Sequence, residues 1–568
     1  MNRSSASLEQ ARRGDFLLSR RAFTGSALSL ALGGPSIAAP VLAQSPPQLA
    51  AALGAIRAFA KADLDYNYLP GMTLGVIAPS GQRTVLNFGY ANADAKSPIT
   101  ADTLFQIGSI SKVMVAAVLH QLATEGRFRL ADRISDLLPT VPLPGGNAIT
   151  VQDLLDHVAG LPGDAPMFPD GGLWTAYVPG RHWHYSNTGY EILGKLAAHL
   201  GGKPLAELLR DRIFAPLGMR RSRGAIIGAD RLLYAQGYEA ADQLVPYLRG
   251  AGLRPAPWVD VTAGAGCVAS TADDMMTFLS ALAGATHGQK MALLPGEPAR
   301  QFVSHTVSSD APGMAYGNGL MHVGGNGRAY LHHTGGMLSF SSSFHVDVAS
   351  GVGAFASSTI NAFAEYRPRL LTRFAVDAVT NALMSRPLPP PPPLESPLAH
   401  AASYIGRYRG SAGTFEVREG GPLTIIAAGT KAVLQPVDDG QFRTSHPLFR
   451  DFTLMFERQG NAITGASWGP QSFIRDGSGG VLPRSDPTLA KLAGRYVNDN
   501  PWFGPAIVVE RAGKLWVGTE VPMTSLADNL WRVGKESWSP ERAAFANFID
   551  GRPQTLVFSG EKFLRHDI

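Results

Sequence analysis

Phe105-Gln106-Ile107-Gly108-Ser109-Ile110-Ser111-Lys112 runs directly into Val113-Met114-Val115-Ala116-Ala117-Val118-Leu119. The run predicts an apolar helix that stops near Gly126, with an S-x-x-K element at its start. Residues three apart share a helix face, so Ser109 and Lys112 should lie one above the other. Backbone N–H groups at a helix N-terminus also stabilise negative charge developing nearby. The spelling alone decides nothing, because Ser559-Gly560-Glu561-Lys562 matches it too. That copy falls in a turn-like stretch, where the two side chains have no reason to face each other.

A proton carrier is the next requirement. Val178-Pro179-Gly180-Arg181-His182-Trp183-His184-Tyr185-Ser186-Asn187 offers a Y-x-N, a pattern that recurs at Tyr90/Asn92, Tyr316/Asn318 and Tyr496/Asn498. What sets Tyr185 apart is the Pro-Gly turn before it and the helical run Tyr190 to Leu200 after it. A third element is Leu331-His332-His333-Thr334-Gly335-Gly336, followed by Phe340, Ser342, Phe344 and Val346 in alternation. It reads as a strand, a glycine turn and a second strand. Glycines at 335 and 336 let a substrate backbone approach closely. His322-Val323-Gly324 has the same H-x-G spelling but runs straight into a Gly-Gly-Asn-Gly turn.

The rest of the chain bounds the class. Of 568 residues 45% are hydrophobic, enough for a sizeable core, and only 17% are charged, against roughly 25% in an average soluble protein. The single cysteine, Cys267, excludes an internal disulfide and any Cys-rich zinc or iron–sulfur site; it sits among small residues and reads as packed. His182-x-His184 lacks a third and fourth ligand at matching spacing, so no metal is expected. No Rossmann G-x-G-x-x-G stands in a strand–turn–helix setting, and no cofactor is expected. Net charge is +5. Residues 1–43 hold five arginines against Glu9 and Asp15, so the remainder carries only +2 with no basic run. That leaves no electrostatic footprint for nucleic acid.

Residues 1–43 read as a leader. Arg20-Arg21 precede an apolar stretch ending in Val41-Leu42-Ala43, which resembles a Tat signal peptide cleaved near Ala43. The expectation is a periplasmic protein with no membrane span in its mature form. Residues 56–385 mix helical and strand patterns. Residues 386–397 hold a proline run, Pro389 to Pro393, expected to be a stiff linker. Beyond it, Ile405-Gly406-Arg407-Tyr408 recurs as Ala493-Gly494-Arg495-Tyr496 after 88 residues, and Phe473-Ile474-Arg475 as Phe563-Leu564-Arg565 after 90. Matched ends at near-equal spacing point to two small β units, 398–480 and 481–568, with a single sandwich as the alternative.

In this order, S-x-x-K, Y-x-N and H-T-G resemble the motifs of the penicillin-recognising serine hydrolases: class C β-lactamases, DD-carboxypeptidases, D-aminopeptidases and family VIII carboxylesterases. Supporting stretches are 70–76, 149–157, 213–219 and 270–275. The resemblance implies an α+β fold, an antiparallel sheet flanked by helices, followed by two β-barrel-like domains. It implies Ser109 as the acylated nucleophile, Lys112 and Tyr185 sharing its activation, and Asn187 positioning the substrate amide. It makes Ser109 and Gly336 N–H groups the oxyanion hole and stands His333, with Thr334 and Gly335 beside it, where many relatives carry lysine. Free lysine titrates near about 10.4 and tyrosine near about 10, so a base at neutral pH needs a shift of about three units. Histidine at 333 is expected to be partly charged at pH 7. H-x-G and the two terminal barrels are similar to D-aminopeptidases, which favours a peptidase on short, D-residue-containing or linearised cyclic peptides such as microcystins. An esterase, weak β-lactamase or DD-carboxypeptidase is the alternative. A non-catalytic cell-wall peptide-binding protein would show loss of Ser109, Lys112 or Tyr185, and none is lost. The barrels are expected either to wall the cleft or to mediate a homodimer.

Overall fold

The computed structural model describes residues 46–566 apart from 145–147, 290–292, 362–367, 396–397, 399, 461 and 519. The leader and the end of the proline linker lie outside the described residues. A nine-stranded antiparallel sheet organises the part of the chain before the proline linker. Its strands are β1 (Gly71–Ile77), β2 (Arg83–Asn92), β3 (Ser97–Pro98), β4 (Val307–Ser308), β5 (Met314–Gly317), β6 (Leu320–Gly325), β7 (Arg328–Gly336), β8 (Ser341–Asp347) and β9 (Gly353–Ser358). They lie in the order β3-β2-β1-β9-β8-β7-β6-β5-β4. The chain's N-terminal strands thus pair with its later ones, Leu74 opposite Ala356.

Both faces of the sheet are covered, which is why β1, β8 and β9 are buried throughout. One face meets helices α1 (Pro46–Tyr66) and α5 (Arg369–Leu383), with Phe59 and Phe374 rings edge to face at 5.2 Å. The alternation in β8 sorts its side chains accordingly. Phe344 and Val346 join the large core on the opposite face, while Ser343 and His345 reach Thr372 of α5 at 3.1 and 2.9 Å. That opposite core holds α4 (Ala272–Thr286), α3 (Asn187–Gly201) and α2 (Ser111–Thr124). Helix α2 is buried on every side from Ser111 to His120. An all-round apolar helix has to sit at the centre of a domain, so the S-x-x-K element is anchored in the middle of the core.

The two terminal units are separate closed eight-stranded barrels, from Gly406–Gly410 to Gln471–Arg475 and from Gly494–Val497 to Glu561–Arg565, so the single-sandwich alternative does not apply. The repeat has a physical reason. In each barrel the first strand pairs with the last, Tyr408 opposite Arg475 and Tyr496 opposite Arg565. Both tyrosines are fully buried and donate to the carbonyl four residues back, Tyr404 and Leu492, at 2.7 and 2.8 Å. Both arginines cross the seam to the carbonyl before the glycine, Ile405 and Ala493, at 2.7 and 3.0 Å. A Cβ at Gly494 would lie 2.4 Å from the Arg565 guanidinium. The repeated Gly, Tyr and Arg are therefore the lock that closes each barrel.

Candidate active site

Ser109 sits in a single 3₁₀ turn, Gly108–Ile110, immediately before α2. It is the one residue between Thr103 and His120 that is not buried. Gly108 has a φ of +56°, and a Cβ there would come within 2.8 Å of the Gly336 backbone. A Cβ at Gly335 would collide with the Ile107 carbonyl at 1.9 Å. The glycines of the third motif thus let β7 run against the serine turn. They lie inside the strand, and the turn expected there falls at 337–340 instead.

Lys112 is fully buried one turn on from Ser109. Its Nζ lies 3.1 Å from Ser109 Oγ, 2.7 Å from Asn187 Oδ1 and 2.8 Å from the Ala265 carbonyl. Burial pulls its pKa down to about 7, with Asp164 and Glu191 acting the other way. Asn187 donates its amide to Asp164 Oδ1 at 2.6 Å, which fixes its oxygen toward the lysine. Neither Asn187 Oδ1 nor the Ala265 carbonyl has a proton to give. A neutral Lys112 therefore spends its two N–H groups on them and turns its lone pair to Ser109. Ser111, by contrast, is used up structurally: it donates to the Gly108 carbonyl at 2.6 Å and accepts from Val268 N at 2.9 Å.

The Y-x-N segment is cradled by residues 157–165. Ser186 caps α3, accepting from Gly189 N, and donates to the Pro162 carbonyl at 2.7 Å. Asn187 N donates to the Gly163 carbonyl at 2.7 Å. Tyr185 is buried, its ring 4.3 Å from that of His157, 6.3 Å from that of His333 and 4.9 Å from Lys112 Nζ.

His333 corrects the expected partial charge. Burial and then the Lys112 charge push its pKa down to about 3, so it is neutral at pH 7. Its tautomer follows from its neighbours. Ser186 N donates to His157 Nδ1 at 3.1 Å, so the His157 proton is on Nε2, 3.1 Å from Tyr316 Oη. His333 Nδ1 donates to the Thr334 carbonyl at 2.6 Å, leaving Nε2 to accept from Tyr316 Oη at 3.2 Å. His157–Tyr316–His333 is a buried neutral chain. Tyr316→Phe should orphan a nitrogen at each end and lower unfolding free energy by about 1–3 kcal/mol. A urea transition at the wild-type midpoint would show that the hydroxyl holds nothing together.

Tyr316 belongs to a Y-x-N that sequence context sets aside, and His157 appeared only within a supporting stretch; neither carried a signal of its own. The second S-x-x-K is ruled out by its partners, since Ser559 donates to Glu541 and Lys562 pairs with Asp170 at 2.7 Å. Cys267 is buried beside Lys112, and its thiol is pushed up to about 12 by that burial. No helix among the described residues is long and apolar enough to cross a membrane.

Residues 56–376 match the family model described as Beta-lactamase, and the chain belongs to that family. It is 33% identical over 193 residues to a β-lactamase of Pseudomonas fluorescens, covering 32% of this chain and 54% of that one. It is 31% identical over 172 residues to penicillin-binding protein 4 of Amycolatopsis lactamdurans, covering 28% and 45%. The chain spans about half the length of the curated relatives it matches. The octameric penicillin-binding protein homologue from Pyrococcus abyssi resembles it at a TM-score of 0.54 and 21% identity, over 74% of this chain and all of that one, a likeness of fold.

Proposed function

We propose that the chain is a serine hydrolase acting through an acyl-enzyme on Ser109, and that it is a peptidase or amidase on short substrates, peptides with D-residues foremost. The observation that carries the substrate choice is the neutral, buried His333, hydrogen-bonded through both ring nitrogens. A penicillin or a peptide C-terminus presents a carboxylate, which a fixed cation would reward with a charge-assisted bond. The third motif offers none. The groups acting on Lys112 are instead acidic, Asp164 and Glu191. Burial first, and then Asp164, pushes Glu191 up to about 7. With no fixed cation in the third motif, a substrate whose recognition does not depend on a free carboxylate is favoured.

In this mechanism Lys112 takes the Ser109 hydroxyl proton while Oγ bonds to the scissile carbonyl carbon. The Ser109 and Gly336 N–H groups hold the resulting oxyanion. The C–N bond breaks as the proton passes from Lys112, with Tyr185 beside it, to the departing nitrogen. Water then hydrolyses the ester by the reverse transfers. A panel of D-aminoacyl amides, p-nitrophenyl esters, nitrocefin and linear peptides tests the choice. D-aminoacyl amides should exceed nitrocefin in kcat/KM by at least about tenfold, the worth of one charge-assisted bond. Preference for short esters without peptide cleavage would make the protein a carboxylesterase, and preference for nitrocefin a β-lactamase.

A further inference from the structure

The second barrel sends one carboxylate into the catalytic domain. Glu541 Oε1 accepts from Gly163 N at 2.7 Å and lies 3.0 Å from His184 Nε2, while Oε2 accepts from Ser559 Oγ of the same barrel. The Glu541 side chain is 20% exposed and that of His184 11%. Gly163 is the residue whose carbonyl receives Asn187 N at 2.7 Å and Thr188 N at 3.2 Å. His184 is the chain neighbour of Tyr185. One carboxylate group therefore anchors the residue whose carbonyl seats Asn187 and the residue beside Tyr185, from 378 and 357 residues away. The contact is reinforced around it: Trp538 stacks on His182 at 4.4 Å and 7°, and Trp174 donates to the Pro540 carbonyl at 2.7 Å.

We propose that the second barrel completes the active site, with Glu541 as the positioning residue that holds Tyr185 and Asn187 against Lys112. The proposal rests on Ser109 being the acylated nucleophile. Asn187 Oδ1 orients Lys112, and Asn187 is held by its own N–H on Gly163. If Gly163 drifts, the lysine lone pair loses its aim at Ser109. Misplacement of about 1 Å in such a group costs about 10²-fold in rate. Substrate need not touch Glu541, so the loss should fall on kcat and leave KM in place.

The test uses the full chain and a fluorophosphonate probe, whose rate of attachment to Ser109 is independent of which substrate class is preferred. Glu541→Ala should slow attachment and lower kcat by about 10²-fold, with KM unchanged. Glu541→Gln keeps an acceptor for Gly163 N and should recover most of the rate. Ser559→Ala loosens the carboxylate from behind and should cause a milder fall, a graded readout that survives if Glu541→Ala does not fold. Lys562→Ala removes the exposed ion pair to Asp170 at the same contact and should leave kcat as it was. Wild-type rates in folded Glu541→Ala or Ser559→Ala, or equal losses in Lys562→Ala, would refute the positioning role alone. A wild-type protein whose Ser109 takes no label would overturn the role and the acyl-enzyme reading together.

Discussion

Ser109→Ala is expected to abolish turnover of every substrate in the panel, by at least about 10⁴-fold in kcat/KM, while leaving the fold intact. The reasoning is local. Ser109 Oγ contacts Lys112 Nζ, which retains Asn187 Oδ1 and the Ala265 carbonyl when the hydroxyl is gone. Helix α2 begins after Ser109 and is held by its buried side chains, none of which changes. Ser111→Ala is the informative contrast two residues on. It breaks the bonds to the Gly108 carbonyl and Val268 N, so it should lower stability yet keep a labelled Ser109. Intact-mass measurement after fluorophosphonate treatment separates them: adduct on wild type and Ser111→Ala, none on Ser109→Ala. Persistent turnover in Ser109→Ala would move the nucleophile elsewhere.

What was legible in the chain followed the range of the interaction. Ser109 and Lys112 are three residues apart across a 3₁₀ turn that leads straight into α2, and helical spacing announces such a pair. The barrels were legible because both closures use the same Gly, Tyr and Arg, and a repeated constraint leaves a repeated spelling. The neutral chain through Tyr316 was not. His157 and Tyr316 are 159 residues apart, and nothing local distinguishes that tyrosine from the other Y-x-N matches. The charge of His333 was misjudged for the same reason, since its pKa is set first by burial and then by Lys112, far away in sequence. His182 and His184 carried no role in the sequence once a metal pair was set aside; their partners, Trp538 and Glu541, stand in another domain. Sequence reports the groups that chemistry needs, whereas their protonation is a property of the cavity built around them.

Lys112→Met should separate catalysis from stability. A fully buried lysine held down to about 7 has its proton in both folded and unfolded chains below pH 7. Between about 7 and 10.5 the unfolded chain keeps a proton that the folded one has released. Stability therefore rises with pH across that window, by about 4–5 kcal/mol in all from a shift of this size. Below the window the ammonium is a standing cost of burial. Methionine has similar bulk and no charge, so its gain should offset the orphaned Asn187 and Ala265 oxygens, and the melting temperature at pH 6 should hold within about 5 °C of wild type. The wild-type advantage on moving to pH 10 should be missing from the variant. Activity should behave oppositely. Wild-type acylation should rise with pH through about 7 as the lone pair is freed, whereas Lys112→Met should lose at least about 10³-fold in kcat, of the order of a lost general base. A wild-type acylation rate that is flat from pH 6 to 8, or a variant within tenfold of wild type, would take the proton away from Lys112 and give it to Tyr185.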